Sequence, residues 1–314
     1  MNTPLHGKLS FLNMRLAYGC MRTVGTWNPQ EVTAERVAIS KTAIAAAVDA
    51  GYTLFDHADI YCSGACERVF GEFLHETPAL RQQMIIATKC GIRFPGVPNP
   101  DSPHRYDFSA EHIMWSCEQS LKRLQIETIG LYHLHRPDLL MNPVEVAEAF
   151  EKLRTQGKVR YFGVSNFAPS FLTALQRHCP MPLVVNQVPI HLGDLHCFYD
   201  GTLDQCLAEG IIPLAYSPVG GGFLGTGGQV SEKHPRREMM LKLVALLDQT
   251  AAKYGVSRTV IALAWLLKHP AKIIPIVGSA KPAHIAEAAK AVNLDLSRED
   301  WYRLLVAARG EGLP

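Results

Sequence analysis

Residues 129–164 read IGLYHLHRPDLLMNPVEVAEAFEKLRTQGKVRYFGV. The pattern of this stretch is that of a strand, a helix and a second strand. Two apolar runs, Ile129–Leu134 and Val159–Val164, flank an amphipathic stretch over 142–156. That stretch begins with Asn-Pro and stops at Gly157, which are common helix start and stop signals. The apolar runs are continuous rather than alternating, as is typical of parallel strands buried on both faces. This segment therefore predicts a β-α-β unit.

The same alternation extends over the rest of the chain. Six further apolar runs predict strands at Met14–Gly19, Tyr52–Phe55, Met84–Thr88, Leu183–Asn186, Ile212–Tyr216 and Ile273–Val277. Helical patterns cover 33–50, 64–76, 109–124, 168–178, 200–209, 256–268 and 282–293, and a final one covers 297–308. Eight strands with intervening helices predict an α/β fold, a single (β/α)8 TIM barrel with an extra C-terminal helix. An open doubly wound sheet is the alternative, but no Gly-x-Gly-x-x-Gly motif follows the first strand.

Composition excludes several classes of protein. The 314 residues are 47% hydrophobic and 19% charged, with a formal net charge of +2, which argues against nucleic-acid binding by bulk charge. We find no uninterrupted apolar window of about eighteen residues and no apolar N-terminal segment, so neither a membrane span nor a signal peptide is expected. No Pro/Gly/Ser-rich linker divides the chain, so we expect one domain over residues 1–314. The sequence predicts a cytoplasmic location, leaves the oligomeric state open and slightly favours a monomer.

Cysteine usage points to reduced thiols rather than to a disulfide scaffold. The chain has eight cysteines, but it is much longer than typical disulfide-rich secreted domains. Cys62 and Cys66 form the closest pair, and no second pair of soft ligands at matching spacing accompanies them. We therefore expect both thiols to be unligated, and we predict no metal ligands for the catalytic site.

Two long irregular stretches follow predicted strands. Residues 92–108 carry four prolines after the third strand, and residues 217–235 carry six glycines after the seventh. In a barrel both lie at the carboxyl ends of the strands, where active sites are built. Their length indicates function or mobility rather than simple connection.

Polar residues at three neighbouring strand ends predict a catalytic group. Asp56 ends the second strand, Lys89 the third and His135 the fourth, and Tyr61 follows Asp56 by five positions. A free tyrosine, with a pKa near ~10, is a poor acid at neutral pH, and a nearby ammonium lowers that pKa. A paired aspartate keeps the lysine charged, and a histidine orients a carbonyl or assists proton transfer. Together these groups would protonate a carbonyl oxygen as a hydride reaches its carbon.

These residues and several later motifs resemble the aldo-keto reductase family. The matching pieces are GYTLFDHADIY at 51–61, Lys89, His135, GVSNF at 163–167, Asn186-Gln187, AYSP at 215–218 and IPIVGS at 274–279. These pieces occur in the family's order over about residues 14–308, and together they make a specific resemblance. The stretches DHADIY and LHRPD are similar to the bacterial YdhF-like oxidoreductase subgroup.

The resemblance implies NADPH-dependent reduction of an aldehyde or ketone, with a small-molecule carbonyl substrate. The family's catalytic tetrad falls on Asp56, Tyr61, Lys89 and His135, with Tyr61 as the proton donor. It also implies a cofactor-binding set, which comprises Ser165, Asn166 and Gln187 for the nicotinamide carboxamide, Tyr216 for ring stacking, Ser217 and Gly221 for the pyrophosphate, Gly278, Ser279 and Lys281 for the 2′-phosphate, and Glu287 for the adenine. A lysine at a helix N-terminus is also an anion site on physical grounds.

One departure from the family pattern concerns the adenosine end. The family often has an arginine where this chain has His284 and an asparagine near Ala288. NADH is still the less expected cofactor, but this departure makes the predicted preference for NADPH weaker than the assignment of hydride transfer.

Two other functions stay open at this stage. One is an NADPH-binding, redox-sensing regulatory subunit with little turnover. The other is a Schiff-base aldolase that uses Lys89, which would need a neutral lysine. Asp56 disfavours the aldolase because it would keep Lys89 charged.

Several residues near these motifs have a structural interpretation. We expect His133 on the strand face opposite His135, His57 in a hydrogen bond within the barrel layer, and Trp115 in the core. Trp27 fits the rim of the site and core packing equally. Arg136 pairs either with a substrate carboxylate or with Asp138.

Overall fold

Eight parallel strands close into a barrel in the computed structural model, which describes residues 15–314. Numbered along the chain, the eight barrel strands and two further short strands are β1 (Ala17–Gly19), β2 (Leu54–Asp56), β3 (Ile85–Cys90), β4 (Ile92–Arg93), β5 (Arg105–Tyr106), β6 (Ile129–Leu134), β7 (Val159–Ser165), β8 (Leu183–Pro189), β9 (Ile212–Tyr216) and β10 (Ile274–Val277). The barrel order is β1-β10-β9-β8-β7-β6-β3-β2, and β4 with β5 forms a separate antiparallel hairpin. The predicted (β/α)8 barrel is confirmed, and Met14 lies outside the described residues.

Helices surround the barrel and follow the predicted positions with one exception. They are α1 (Ala34–Asp49), α2 (Ala65–Glu76), α3 (Ala110–Leu124), α4 (Pro143–Thr155), α5 (Pro169–Gln176), α6 (Thr202–Glu209), α7 (Arg237–Tyr254), α8 (Arg258–Leu267), α9 (Pro282–Ala289) and α10 (Arg298–Arg309). The sequence analysis missed α7. Its N-cap, Arg236, supplies no side-chain cap, so the usual start signal is absent. Its end at Gly255, with a φ of 65°, was a usable stop signal.

The barrel interior is apolar below the candidate site. Inward-facing side chains form one buried cluster that includes Ala17, Leu54, Ala87, Leu131, Val185, Leu214 and Ile276. Gly163 of β7 is required in the same interior, because a Cβ there would lie 2.9 Å from the Val185 carbonyl oxygen and 3.0 Å from the His133 ring. The closed apolar layer leaves the carboxyl ends of the strands as the open face of the barrel.

The two long irregular stretches differ in structure. The proline-rich segment folds back as the β4–β5 hairpin, where Ile92 pairs with Tyr106, and Arg93 forms an ion pair of 3.0 Å with Asp107. The segment 217–235 has a single short 3-10 turn at Gly220–Gly222. Both stretches lie at the carboxyl ends of barrel strands, as predicted.

Between residues 15 and 314 we find no helix with the length and apolar character needed to cross a bilayer.

Candidate active site

The four predicted catalytic residues meet at the carboxyl ends of adjacent strands. Asp56 is the last residue of β2, Lys89 lies near the end of β3 and His135 directly follows β6. Tyr61 begins a short 3-10 turn that leads into α2. Because β2, β3 and β6 are neighbours in the barrel, their ends bring these side chains together.

Lys89 is the centre of this group. Its side chain is fully buried, and its ammonium donates to Asp56 Oδ2 at 2.8 Å, to the His57 carbonyl oxygen at 2.6 Å and to the Tyr61 hydroxyl at 3.2 Å. An ammonium has three N–H donors, and these three acceptors satisfy all of them. The lysine is therefore held in one position beside the phenol.

Electrostatics in this group keep Lys89 charged and Tyr61 protonated. Burial lowers the pKa of Lys89, but Asp56 and Tyr61 together raise it above its ordinary value. Burial raises the pKa of Tyr61 to about 12, although Lys89 acts to lower it. The ammonium alone predicts a lowered pKa for Tyr61, but burial outweighs it in the folded chain. A charged Lys89 also argues against a Schiff-base aldolase, which needs a neutral amine.

His135 is a neutral imidazole beside the phenol. Its ring centroid lies 6.0 Å from that of Tyr61 in an edge-to-face arrangement. Burial, with contributions from Lys89, Arg136 and His133, lowers its pKa well below the ordinary value. A neutral imidazole retains one N–H donor and one acceptor, so it can orient a carbonyl without adding charge.

The expected position of His133 is wrong. Side chains two residues apart on a strand share a face, so His133 lies on the same interior face as His135, one layer deeper. It pairs in register with Lys89 and Gly163, and Lys89 contributes to the strongly lowered pKa of His133. Burial is the larger cause of this lowered pKa, and it keeps the His133 ring neutral.

Amide and hydroxyl side chains on β7, β8 and β9 join the tetrad in one network. Gln187 donates to Asp56 Oδ1 at 2.9 Å, which occupies the carboxylate oxygen that Lys89 leaves free. Asn166 donates to Ser165 Oγ at 2.8 Å and accepts from the Tyr216 hydroxyl at 2.9 Å. Ser165 in turn donates to the Gln187 carbonyl oxygen at 2.9 Å. The network thus links four predicted cofactor residues to the catalytic four.

Backbone strain is concentrated around the same residues. Non-glycine residues with positive φ include Cys62 (48°) and Ser63 (51°), directly after Tyr61, and Asn166 (62°) and Ser217 (52°), directly after β7 and β9. Such conformations cost about 1–3 kcal/mol each and persist where the surroundings impose them. The folded chain therefore imposes unfavourable backbone conformations directly after Tyr61, at Asn166 and at Ser217.

The other predicted cofactor residues lie on separate segments of the same barrel face. A Cβ at Gly221 or Gly278 would have no atom within 4 Å, so both glycines border open space. Ser279 Oγ accepts from the Lys281 amide at 3.2 Å, and exposed Lys281 is the N-cap residue of α9. Glu287, further along α9, has Lys290 at 3.9 Å. The arrangement combines room, a lysine and a helix N-terminus, which suits a phosphorylated ligand.

Three residues near the site differ from expectation. The His57 ring has no hydrogen-bond partner among the described residues and packs on Phe70, with ring centroids 4.6 Å apart. Trp115 is 57% exposed rather than in the core, because it lies on the outer face of α3. Asp138 accepts from the backbone amides of Phe108 and Leu140, so it is not the partner of Arg136.

Two aromatic contacts define the mouth of the site. Trp27 is 54% exposed, and its ring stands perpendicular to that of Tyr61 with centroids 6.2 Å apart. The Arg136 guanidinium lies over the Tyr216 ring, 5.9 Å from its centroid. Trp27 therefore belongs to the rim.

Sequence reasoning missed Asp59 as a titrating group next to the site. Asp59 is half-buried, with Oδ2 accepting from Ser116 at 2.7 Å and a buried Oδ1 that has no hydrogen-bond partner among the described residues. Burial raises its pKa to about 7. Since the unfolded carboxyl ionises near its ordinary value of 3.8, the native state loses stability as the pH rises from about 4 to about 7.

We expect Asp59→Asn to be more stable than the parent protein at about pH 8 and nearly equal to it at about pH 4. The amide keeps an acceptor for Ser116 and removes an ionisation that costs up to about 1.4 kcal/mol per pH unit in this window. Urea unfolding at a series of pH values measures the difference. A less stable Asp59→Asn at about pH 8 would contradict this assignment.

Asp300 serves as a control with the opposite sign. Hydrogen bonds from Lys253, Tyr254, Ser297 and Arg303 hold its pKa well below the ordinary value. Asp300 therefore stabilises the fold above its unfolded pKa, and this contribution disappears as the pH falls through the folded pKa. Asp300→Asn should be destabilised at neutral pH and converge on the parent protein in acid.

Comparison with known proteins agrees with this geometry. A (β/α)8 barrel with a buried Asp–Lys–Tyr group and a histidine at its open face defines a class of oxidoreductases. The model of the aldo/keto reductase family matches residues 15–306, and the chain belongs to that family. It is accordingly an NAD(P)H-dependent oxidoreductase.

Three individual proteins show how similar the chain is to members of this family. The chain is 42% identical over 275 residues to a 6-dehydroglucose reductase from Novosphingobium aromaticivorans, covering 86% of this chain and 85% of that protein. It is 38% identical over 267 residues to oxidoreductase YdhF of Escherichia coli, covering 85% and 86%, which confirms the predicted subgroup. A crystal structure of an aldo/keto reductase from Klebsiella pneumoniae with NADP and acetate superposes with a TM-score of 0.73, at 26% identity, covering 92% and 89%.

Proposed function

We propose that the protein reduces an aldehyde or ketone to an alcohol with NADPH as hydride donor and Tyr61 as proton donor. The observation that supports this most directly is the fully buried Lys89 ammonium, 2.8 Å from Asp56 and 3.2 Å from the Tyr61 hydroxyl. The reduced nicotinamide, when bound, supplies the hydride. The protein's task is then to deliver one proton to the carbonyl oxygen and to stabilise the charge that develops there.

Tyr61 is protonated at neutral pH before the reaction begins. Its pKa of about 12 keeps the phenol protonated at neutral pH, with the proton available for the substrate oxygen. Once the proton leaves, the Lys89 ammonium stabilises the phenolate, and Asp56 with Gln187 keeps that ammonium in place. The neutral His135 ring beside the phenol orients the carbonyl.

The residues of the network suit a nicotinamide ligand. Ser165, Asn166 and Gln187 present amide and hydroxyl groups at the strand ends, and Tyr216 presents an aromatic ring beside them. Ser217, Gly221 and Gly278 border the path toward Ser279, Lys281 and Glu287 on the β10–α9 segment. We assign these residues to cofactor binding from the nicotinamide to the adenosine end.

A preference for NADPH should depend on Lys281. We expect Lys281→Ala to weaken NADPH binding about tenfold and to leave NADH binding nearly unchanged, because only NADPH carries the 2′-phosphate. Fluorescence titration with each cofactor measures this. Lys242→Ala on the exposed face of α7 is the control. Equal losses for both cofactors would show that Lys281 does not read the 2′-phosphate.

The first substrate to assay follows from the relative from Novosphingobium, whose name gives it activity on 6-dehydroglucose. That compound carries an aldehyde at carbon 6, which fits a site built to protonate a carbonyl oxygen. The NADPH-consuming reaction is read by absorbance, with a simple aromatic aldehyde as comparison substrate. Faster turnover of the sugar aldehyde would support a polyhydroxylated substrate.

A cytoplasmic location is also part of this proposal. All eight cysteines are free and buried, which suits a reducing compartment.

A further inference from the structure

A second group of potential ligands lies in the loop between β8 and α6. His196 Nε2, Cys197 Sγ and Asp200 Oδ2 approach one another there, with Nε2 3.3 Å from Sγ and 3.9 Å from Oδ2. All three atoms lie within 4.8 Å of one another. We propose that these residues bind a zinc ion, with water as the fourth ligand.

The distances fit one ion at the centre of the group. Zinc binds sulfur at about 2.3 Å and nitrogen or oxygen at about 2.0–2.2 Å in tetrahedral geometry, so its ligand atoms lie about 3.5 Å apart. The observed 3.3 Å and 3.9 Å bracket that value. Adjustment of side-chain torsions at His196 and Asp200, both half-exposed, is enough to close the site.

A fourth residue prepares the histidine to bind metal. Asp194 Oδ1 lies 2.7 Å from His196 Nδ1, and it also accepts from the His196 backbone amide at 3.3 Å. A carboxylate on Nδ1 places the proton there and leaves the lone pair of Nε2 free for the other two ligands. Metal-binding histidines typically have this carboxylate behind them.

The two carboxylates of this loop, Asp194 and Asp200, also favour binding of a cation. Within residues 15–314 neither Asp194 nor Asp200 has a lysine or arginine within 4.0 Å; their ion-pair contacts are with His196. Zinc binding would release the thiol proton of Cys197 to solvent and place a divalent charge among a thiolate and two carboxylates. Cys197 is 1% exposed, so a small ion approaching from the side of His196 and Asp200 is the ligand that the space allows.

The ion would brace the loop against the glycine-rich segment. Arg236 donates to the Gly193 carbonyl oxygen, and the Phe223 ring packs edge-to-face on His191 at 6.3 Å. These contacts join the β8–α6 loop to Phe223 in the segment 217–235 and to Arg236 directly after it. The site lies on the β8–α6 loop, and none of its three ligands is a residue assigned to catalysis.

Cobalt substitution tests the site in the full-length, untagged protein after removal of metal with a chelator. We expect one equivalent of Co²⁺ to produce thiolate-to-metal charge-transfer absorption, and Zn²⁺ to displace it. Cys197→Ser should abolish the band, and Asp194→Asn should weaken Co²⁺ binding about tenfold or more. Asp200→Asn keeps an acceptor for the Thr202 amide, so it tests the carboxylate in a protein that retains this cap.

The chain contains a matched control in a second His-Cys pair. His178 is exposed and Cys179 buried, as in the proposed site, but they are not part of any group of three metal-ligating side chains among the described residues. The double variant His178→Gln/Cys179→Ser should keep the full cobalt band. No thiolate band in the parent protein, or an unchanged band in folded Cys197→Ser, would overturn the proposal.

Discussion

Tyr61→Phe should lower carbonyl reduction by about a thousandfold and leave NADPH affinity within about twofold of the parent value. Among residues 15–314 the phenol is the one proton source that Lys89 contacts, and removing one oxygen leaves the surrounding packing with Trp27 and His135 in place. Stopped-flow measurement of a single turnover, together with fluorescence titration of NADPH, separates the chemical step from binding.

Tyr132→Phe is the matched control for this variant. Tyr132 is also a fully buried tyrosine on the barrel, but its hydroxyl donates to the Ile113 carbonyl oxygen on the outer side of the sheet. Its loss should affect stability by about 1 kcal/mol and leave turnover intact. Parallel loss of turnover and of NADPH binding in Tyr61→Phe would refute the assignment of Tyr61 as proton donor.

Lys89→Met should both inactivate the protein and destabilise it by about 3–5 kcal/mol. Asp56 is buried, and its side-chain partners in the described part of the chain are Lys89 and Gln187, so removing the ammonium leaves a buried carboxylate without a paired cation. Urea unfolding measures the loss. Lys158→Met, which removes a partly exposed lysine paired with Glu118, should cost no more than about 1 kcal/mol.

The double variant Asp56→Asn/Lys89→Met separates the effect of Lys89 on stability from its effect on turnover. The amide keeps an acceptor for Gln187 and carries no charge, so most of the stability lost in Lys89→Met should return. Activity should not return, because the phenolate formed at Tyr61 still lacks its ammonium. Recovery of turnover with stability would mean that Lys89 acts only through the fold.

The barrel was predictable because each strand combines a buried apolar run with local stop signals. Ile129–Leu134 and the helix that ends near Gly157 were recognisable without any tertiary information. The helix α7 was missed because its first turn has no side-chain cap. Trp115 was misplaced because a helix pattern alone did not show which side of α3 faces solvent.

The identity of the catalytic residues was predictable from the sequence, but their pKa values were not. Asp56, Lys89 and His135 follow from strand ends that the fold brings together. The pKa of Tyr61 was expected to fall, whereas burial raises it to about 12. The hydrogen bonds from Tyr216 to Asn166 and from Ser116 to Asp59 also depend on the folded chain, since each joins residues that are far apart in sequence.

Deuterium transfer is the most direct test of the central claim, which is that this site reduces carbonyls. Purified protein is mixed with NADPH carrying deuterium at both hydrogen positions of nicotinamide C4 and with an aldehyde, and the product is analysed by mass spectrometry. We predict an alcohol with one deuterium on the former carbonyl carbon, formed by the parent protein and not by Tyr61→Phe. Tight NADPH binding without deuterium in any alcohol, over a panel of aldehydes and ketones, would contradict the account and favour a regulatory NADPH-binding protein.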